Sequence, residues 1–229
     1  MPAFVNQSGS SLVVSQETIE KVRLAVVHRM VSRLENDYQD FIEGIAGFDA
    51  IPSFFRDYLY SPPNKEKRDA ALEQLYTKLR SITGPEMTEN IHKLIQLVEI
   101  SDDLDRSTAI ALLNGPLNKS DHGLDGLSDQ EIEAAMLQAG KYENRLRQID
   151  LICETLSFFF TLSKLPFIKL VMAPIKVAAG LVGAEDLVGT MEKGYEVSRK
   201  IKDMKPFMKA FKERETAYIE KIWVETSKI

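Results

Sequence analysis

The 229-residue chain holds a single cysteine, so no internal disulfide can close. Cys153 sits in the apolar run IDLICETL, where a buried free thiol is expected, and such cysteine usage fits the cytoplasm. Catalytic signatures are missing as well. There is no GxGxxG after a strand, no phosphate loop, no GxSxG elbow and no HExxH. Cys153 has no patterned histidine or asparagine companion, and its apolar flanks raise rather than lower a thiol pKa. The expectation is a protein that is not an enzyme and that uses no cofactor.

The excess of one charge over the other is also small. The formal net charge is -5, with -8 over residues 1–150 and +3 over residues 151–229. A mildly basic C-terminal third on an acidic body is too weak a signal for nucleic acid. A membrane-spanning helix is excluded by interruption. The stretch Leu156 to Ala184, LSFFFTLSKLPFIKLVMAPIKVAAGLVGA, is apolar but carries Lys164, Lys169 and Lys176. A span needs roughly 20 apolar residues, and each lysine near a bilayer centre would cost about 2.5 to 3.5 kcal/mol. Pro166 and Pro174 break it further. Too short to span, it does not suit a pore-forming hairpin either. A bundle core with lysines at its rim and an in-plane interfacial segment both remain.

Alternating strand patterns and fixed-period repeats are absent; what is present is helical period. After a Ser15 cap, Ile19, Val22, Val26, Met30, Leu34, Tyr38, Phe41 and Ile45 recur at steps of three or four, predicting one long helix to near Gly47. A short element follows in IPSFFRDYLYS. Leu72, Leu75, Leu79 and Ile82 mark a third helix, closed by Gly84-Pro85. MTENIHKLIQLVEI predicts a fourth and SDDLDRSTAIALLNGP a fifth, with Ser101 as its cap. SDQE is a capping box, Ser128 at N-cap and Glu131 at N3, opening a helix expected to run past Gly140 to about Ser163. Two amphipathic helices close the chain. The fold class is an all-α, irregular multi-helix bundle with long amphipathic helices and a central apolar segment. Residues 1–14 read as a flexible leader without a secretory signal, and 15–229 as one helical domain with a soft boundary near 115–128.

Metal-binding patterns fall short. From Asp121, the aspartate loop offers Asp125 and Gly126 in calcium-loop places, but Gly123 stands third and Ile132 twelfth, where the bidentate glutamate belongs. Glu89 and His92 have the spacing of a di-metal bundle pair, yet no second pair exists. Asp102, Asp103 and Asp105 read as first-turn acids offsetting a helix dipole. No metal site is expected.

The functional expectation therefore rests on the C-terminal third. In SRKIKDMKPFMKAFKER, Ile201, Met204, Met208 and Phe211 fall on one face among Lys205, Lys209 and Lys212. A basic amphipathic helix over 199–214 can bind a protein partner, a second copy of the chain, or anionic lipid. A helical interaction or scaffold protein is the favoured expectation. The alternative is a peripheral membrane protein that binds anionic lipid reversibly through residues 158–182 and the basic helix.

Overall fold

The computed structural model describes residues 4–5, 11–12, 15–54, 84–115, 124–165, 176–181 and 185–226, with isolated positions between them. The architecture is an all-α bundle. Phe4–Val5 and Ser11–Leu12 form a two-residue antiparallel pairing ahead of it.

Helix α1, Gln16–Asp37, opens on Ser15, whose side chain accepts the Thr18 amide at 3.1 Å. Ile19, Val22, Val26, Val27 and Val31 line its buried face. The expected single helix breaks at Tyr38, whose backbone (φ -117°, ψ 20°) leaves helical geometry before α2, Gln39–Gly44. The break turns the Tyr38 ring into a cluster with Phe207 and Phe211, beside Phe41 and Phe48. Gly47, at φ 94°, reverses the chain into a 3-10 turn, Phe48–Ala50, and α3, Ile51–Phe54. The helix expected around Leu72 to Ile82 lies largely outside the described residues.

Helix α4, Pro85–Asn114, is one unbroken element where two were expected. Proline stands at N1, where its missing N–H costs nothing. Ser101 is not a cap but a mid-helix residue that accepts a hydrogen bond from Gln148 Nε2 at 2.8 Å. Nothing between Ile100 and Leu104 breaks a helix, and the acids that resembled a first turn instead meet cations. Asp103 takes Lys141 at 2.6 Å, and Asp102 lies 4.0 Å from Arg23.

The capping box forms as read. Ser128 and Glu131 satisfy each other's backbone at the start of α5, Asp129–Ala139. The run expected to continue through Gly140 instead stops there. Gly140 and Lys141 take φ 72° and 64°, and α6, Tyr142–Ser163, starts afresh. The last helices are α7, Glu185–Lys200, and α8, Lys205–Thr226. The basic helix expected over 199–214 is thus divided. Pro206 cannot continue a helix from α7, and Asp203 Oδ1 instead caps the Lys205 amide at 3.0 Å.

Helices α4 and α6 are the centre of the bundle: α4 packs on α1, α5 and α6, and α6 on α4, α7 and α8. Two apolar clusters fill it. The larger joins α1, the aromatic turn, α4, α5, α6 and α8; the smaller joins Ile91, Leu94, Ile95, Phe159 and Leu162 to Ala178, Ala179 and Val188. The central apolar segment is only partly core. Phe159 and Leu162 are buried, Phe158 and Phe160 half-buried, and Leu165 exposed, because α6 ends at Ser163 and Leu165 lies beyond the packed face. Phe167, Ile168, Leu170 and Val171 lie outside the described residues. No helix among the described residues is long and apolar enough to cross a membrane.

Candidate partner-binding groove

The stripe read from spacing as partner-facing is mostly core. Ile201 is 0% exposed, Met204 1% and Phe211 4%, packed against α1 and the aromatic turn. Amphipathic spacing marks which face is apolar, not whether the fold already covers it. Met208 alone of that stripe is half-buried and reaches a surface depression.

That depression is a groove of about 960 Å³ with α6 as floor and α4 and α8 as walls. Cys153, Ser157 and Phe158 rise from the floor. Glu86, Asn90 and Lys93 line one wall, and Met208, Lys209, Lys212 and Ala217 the other. Along α8 the lining runs from Met208 to Glu220, about 18 Å at 1.5 Å per residue. The exposed Lys205 lies outside this lining.

Most of the groove's cations are matched at its walls. Lys93 bridges Glu89 and Glu154 at 3.1 Å each, and these bonds, Glu154's first, raise its pKa. Lys212 holds Asp150 at 2.7 Å, a hydrogen bond that raises its pKa too. Lys209 lies 3.9 Å from Glu213. Beside the Ser157, Thr161 and Thr216 hydroxyls, the lining then offers an apolar set: the Cys153 thiol, the Phe158 ring, the Met208 thioether and the Ala217 methyl. Burial pushes the Cys153 thiol up to about 11, with Lys212 opposing, and the thiol donates to the Met208 carbonyl at 3.7 Å. A thiol held protonated is a packing group, not a nucleophile.

The other candidate residues are occupied elsewhere. Glu89 is taken by Lys93; His92 Nε2 lies 3.1 Å from Gln96 and its ring 5.6 Å from Tyr76. Of the aspartate loop, Leu124–Gly126 forms one 3-10 turn and Glu131 belongs to the capping box. Among the described residues no cluster of three or more His, Cys, Asp or Glu side chains could hold a metal ion. Glu86, Asn90 and Lys93 were not foreseen as site residues, since no sequence signal says that α4 flanks α8 across α6.

A family model described as Domain of unknown function (DUF8198) matches residues 14–228. The chain belongs to this family. The match takes in every helix from α1 to α8, so the groove is built entirely from the family's domain. No curated protein and no solved structure matches the chain.

Proposed function

We propose that the protein is a non-enzymatic interaction module that receives an amphipathic helix of a partner protein in the groove between α4 and α8. The observation that carries this reading is the apolar line Cys153, Phe158, Met208 and Ala217, left open on the floor and wall while the neighbouring lysines are matched. The length, about 18 Å, suits roughly three helical turns. The volume sits near the top of the range for small-molecule pockets, about 300 to 1,000 Å³. Glutamates and lysines both stand along the rim, so the partner helix needs an apolar stripe flanked by both signs of charge. A photo-crosslinking residue at Ser157 or Ala217 should yield one discrete adduct in cells, lost on Met208→Asp. The same probe at exposed Glu99, outside the groove lining, should yield none. Equal crosslinking from both positions would sink the proposal.

A membrane surface is the second reading, and a separate observation favours it. Val177 and Leu181 are 67% and 70% exposed, one turn apart on the helical residues 176–181, and Leu165 is exposed nearby in sequence. Paired apolar groups at that spacing, beside basic Lys176, resemble an interfacial anchor. Co-sedimentation with phosphatidylserine-containing vesicles, lost on Leu181→Asp and absent with neutral vesicles, is the expected result. Failure to sediment with either vesicle would remove this reading.

A further inference from the structure

Another cavity, of about 80 Å³, lies between α1, α4, α5, α6 and α8 and is distinct from the groove. Two guanidinium groups line it, and the Nε of each lacks a hydrogen-bond partner. They differ in charge balance. Arg33 is paired with Glu215 and with Asp37. Arg145, 6% exposed, has no carboxylate within ion-pair distance among the described residues, where Lys141 and Arg147 on either side of it do. Its one hydrogen bond goes to Thr108 Oγ1 at 2.9 Å, while Thr108 itself donates to the Leu104 carbonyl. Its remaining support is the Trp223 ring, 5.9 Å from Cζ.

A buried cation with one neutral hydrogen bond is expensive, and water answers its N–H groups without answering its charge. Burial pulls the Arg145 pKa down to about 10, with the field of Asp105 opposing, so the group still carries its charge at neutral pH. One side of the lining is apolar: Val27, Met30, Met136 and Ile149 face the same space, while Asp105, Gln148, Glu215 and Tyr218 add polar groups. One unmatched positive charge beside an aliphatic wall is the complement of one negative charge on an aliphatic body. Glu215 and Asp105 also line the cavity and oppose any added negative charge, a phosphate dianion about twice as strongly as a monocarboxylate, so a single charge is the better fit. At about 10 to 15 Å³ per water-sized probe, the space suits a molecule of roughly five to eight heavy atoms.

We propose that this cavity binds a short aliphatic monocarboxylate, its carboxylate on Arg145 and its hydrocarbon end among Val27, Met30, Met136 and Ile149. Trp223, the one tryptophan of the chain, stacks near the Arg145 guanidinium and reports on it. Sodium butyrate should change Trp223 emission saturably and raise the Tm of the full-length protein above a sodium chloride control of matched ionic strength. Butyramide, equal in shape but uncharged, should do neither. Arg145→Met, which keeps the stem and removes the charge, should weaken butyrate binding by about tenfold or more, the worth of a charge-assisted hydrogen bond. If Arg145→Met does not fold, the butyrate and butyramide titrations of the unmodified chain decide alone. Three results overturn the proposal: no saturable response to butyrate, an equal response to butyramide, or butyrate binding that survives Arg145→Met. A saturable response to inorganic phosphate instead of butyrate would also overturn the ligand class.

Discussion

The Tyr38 hydroxyl donates to Glu215 Oε1 at 3.0 Å, tying the break between α1 and α2 to the middle of α8, 177 positions away. The other Glu215 oxygen is taken by Arg33, and Arg33 lies 4.1 Å over the Tyr218 ring. Burial, with the Glu215 charge second, raises the Tyr38 pKa, so the phenol stays a donor. Tyr38→Phe removes the bond to Glu215 and the longer one to the Phe211 carbonyl at 3.4 Å, and should lower stability by about 1 kcal/mol. Glu215→Ala does more, because it leaves Arg33 buried with only Asp37, and should cost about 3 kcal/mol. The double replacement Arg33→Met with Glu215→Met should recover most of that loss in urea unfolding. A loss from Glu215→Ala no greater than from Tyr38→Phe would show that the pair is not shielded from water.

Two glycines with positive φ separate backbone strain from crowding. At Gly140 (φ 72°, ψ -136°) a Cβ meets nothing within 4 Å, so Gly140→Ala should cost only the strain of a backbone conformation that glycine alone adopts readily, about 2 kcal/mol. At Gly47 a Cβ would lie 2.8 Å from the Lys200 carbonyl carbon and 2.9 Å from its oxygen, where backbone cannot yield. Gly47→Ala should cost about 3 kcal/mol, strain and overlap together. Equal Tm losses for the two variants would contradict the close approach of the α2–α3 turn to the end of α7.

These positions also show what the sequence disclosed. Ser15 and the Ser128–Glu131 box were legible because capping is decided within four residues, and both form. Ser101 carried the same local pattern and is not a cap, since Arg23, Lys141 and Gln148 recruit that turn from elsewhere in the fold. Helical period continues through Gly140 in the sequence, yet Gly140 ends a helix. The stripe Ile201, Met204 and Phe211 was correctly apolar, but its cover comes from helices far away in sequence. The inner cations did leave a trace. Arg23 stands four residues after buried Ile19 and Arg145 four before buried Ile149, basic residues at core-face steps, which the apolar count passes over.

Acid should loosen the contact between α2 and α8. Arg214 grips Asp40 through 2.9 and 2.6 Å hydrogen bonds, which hold the carboxyl below its usual range. A carboxyl depressed in the folded state stabilises above its unfolded value, about 3.9, and that contribution fades as pH falls through the folded value. Asp40 is largely exposed, so the pair is worth only about 0.5 kcal/mol. Asp40→Asn should therefore be slightly less stable than the native chain at pH 7 and indistinguishable from it near pH 2. A gap that persists or widens in acid would assign the effect to packing.

The thiol in the groove provides a test of occupancy that needs no partner identified beforehand. With its pKa pushed to about 11, Cys153 has little thiolate at neutral pH. Iodoacetamide should label it slowly at pH 7, with the rate rising about tenfold per pH unit toward pH 10. Lys212 is the one neighbour that favours the thiolate, while Asp150 and Glu154 oppose it. Lys212→Met removes that cation and leaves Asp150 without its partner, so labelling at pH 8 should slow further. A helix seated over Cys153, Phe158 and Met208 would shield the sulfur at every pH, lowering the whole rate profile without moving its midpoint. Labelling at pH 7 as fast as that of an unhindered thiol would instead place Cys153 in open water, and the apolar line on which the groove depends would be lost.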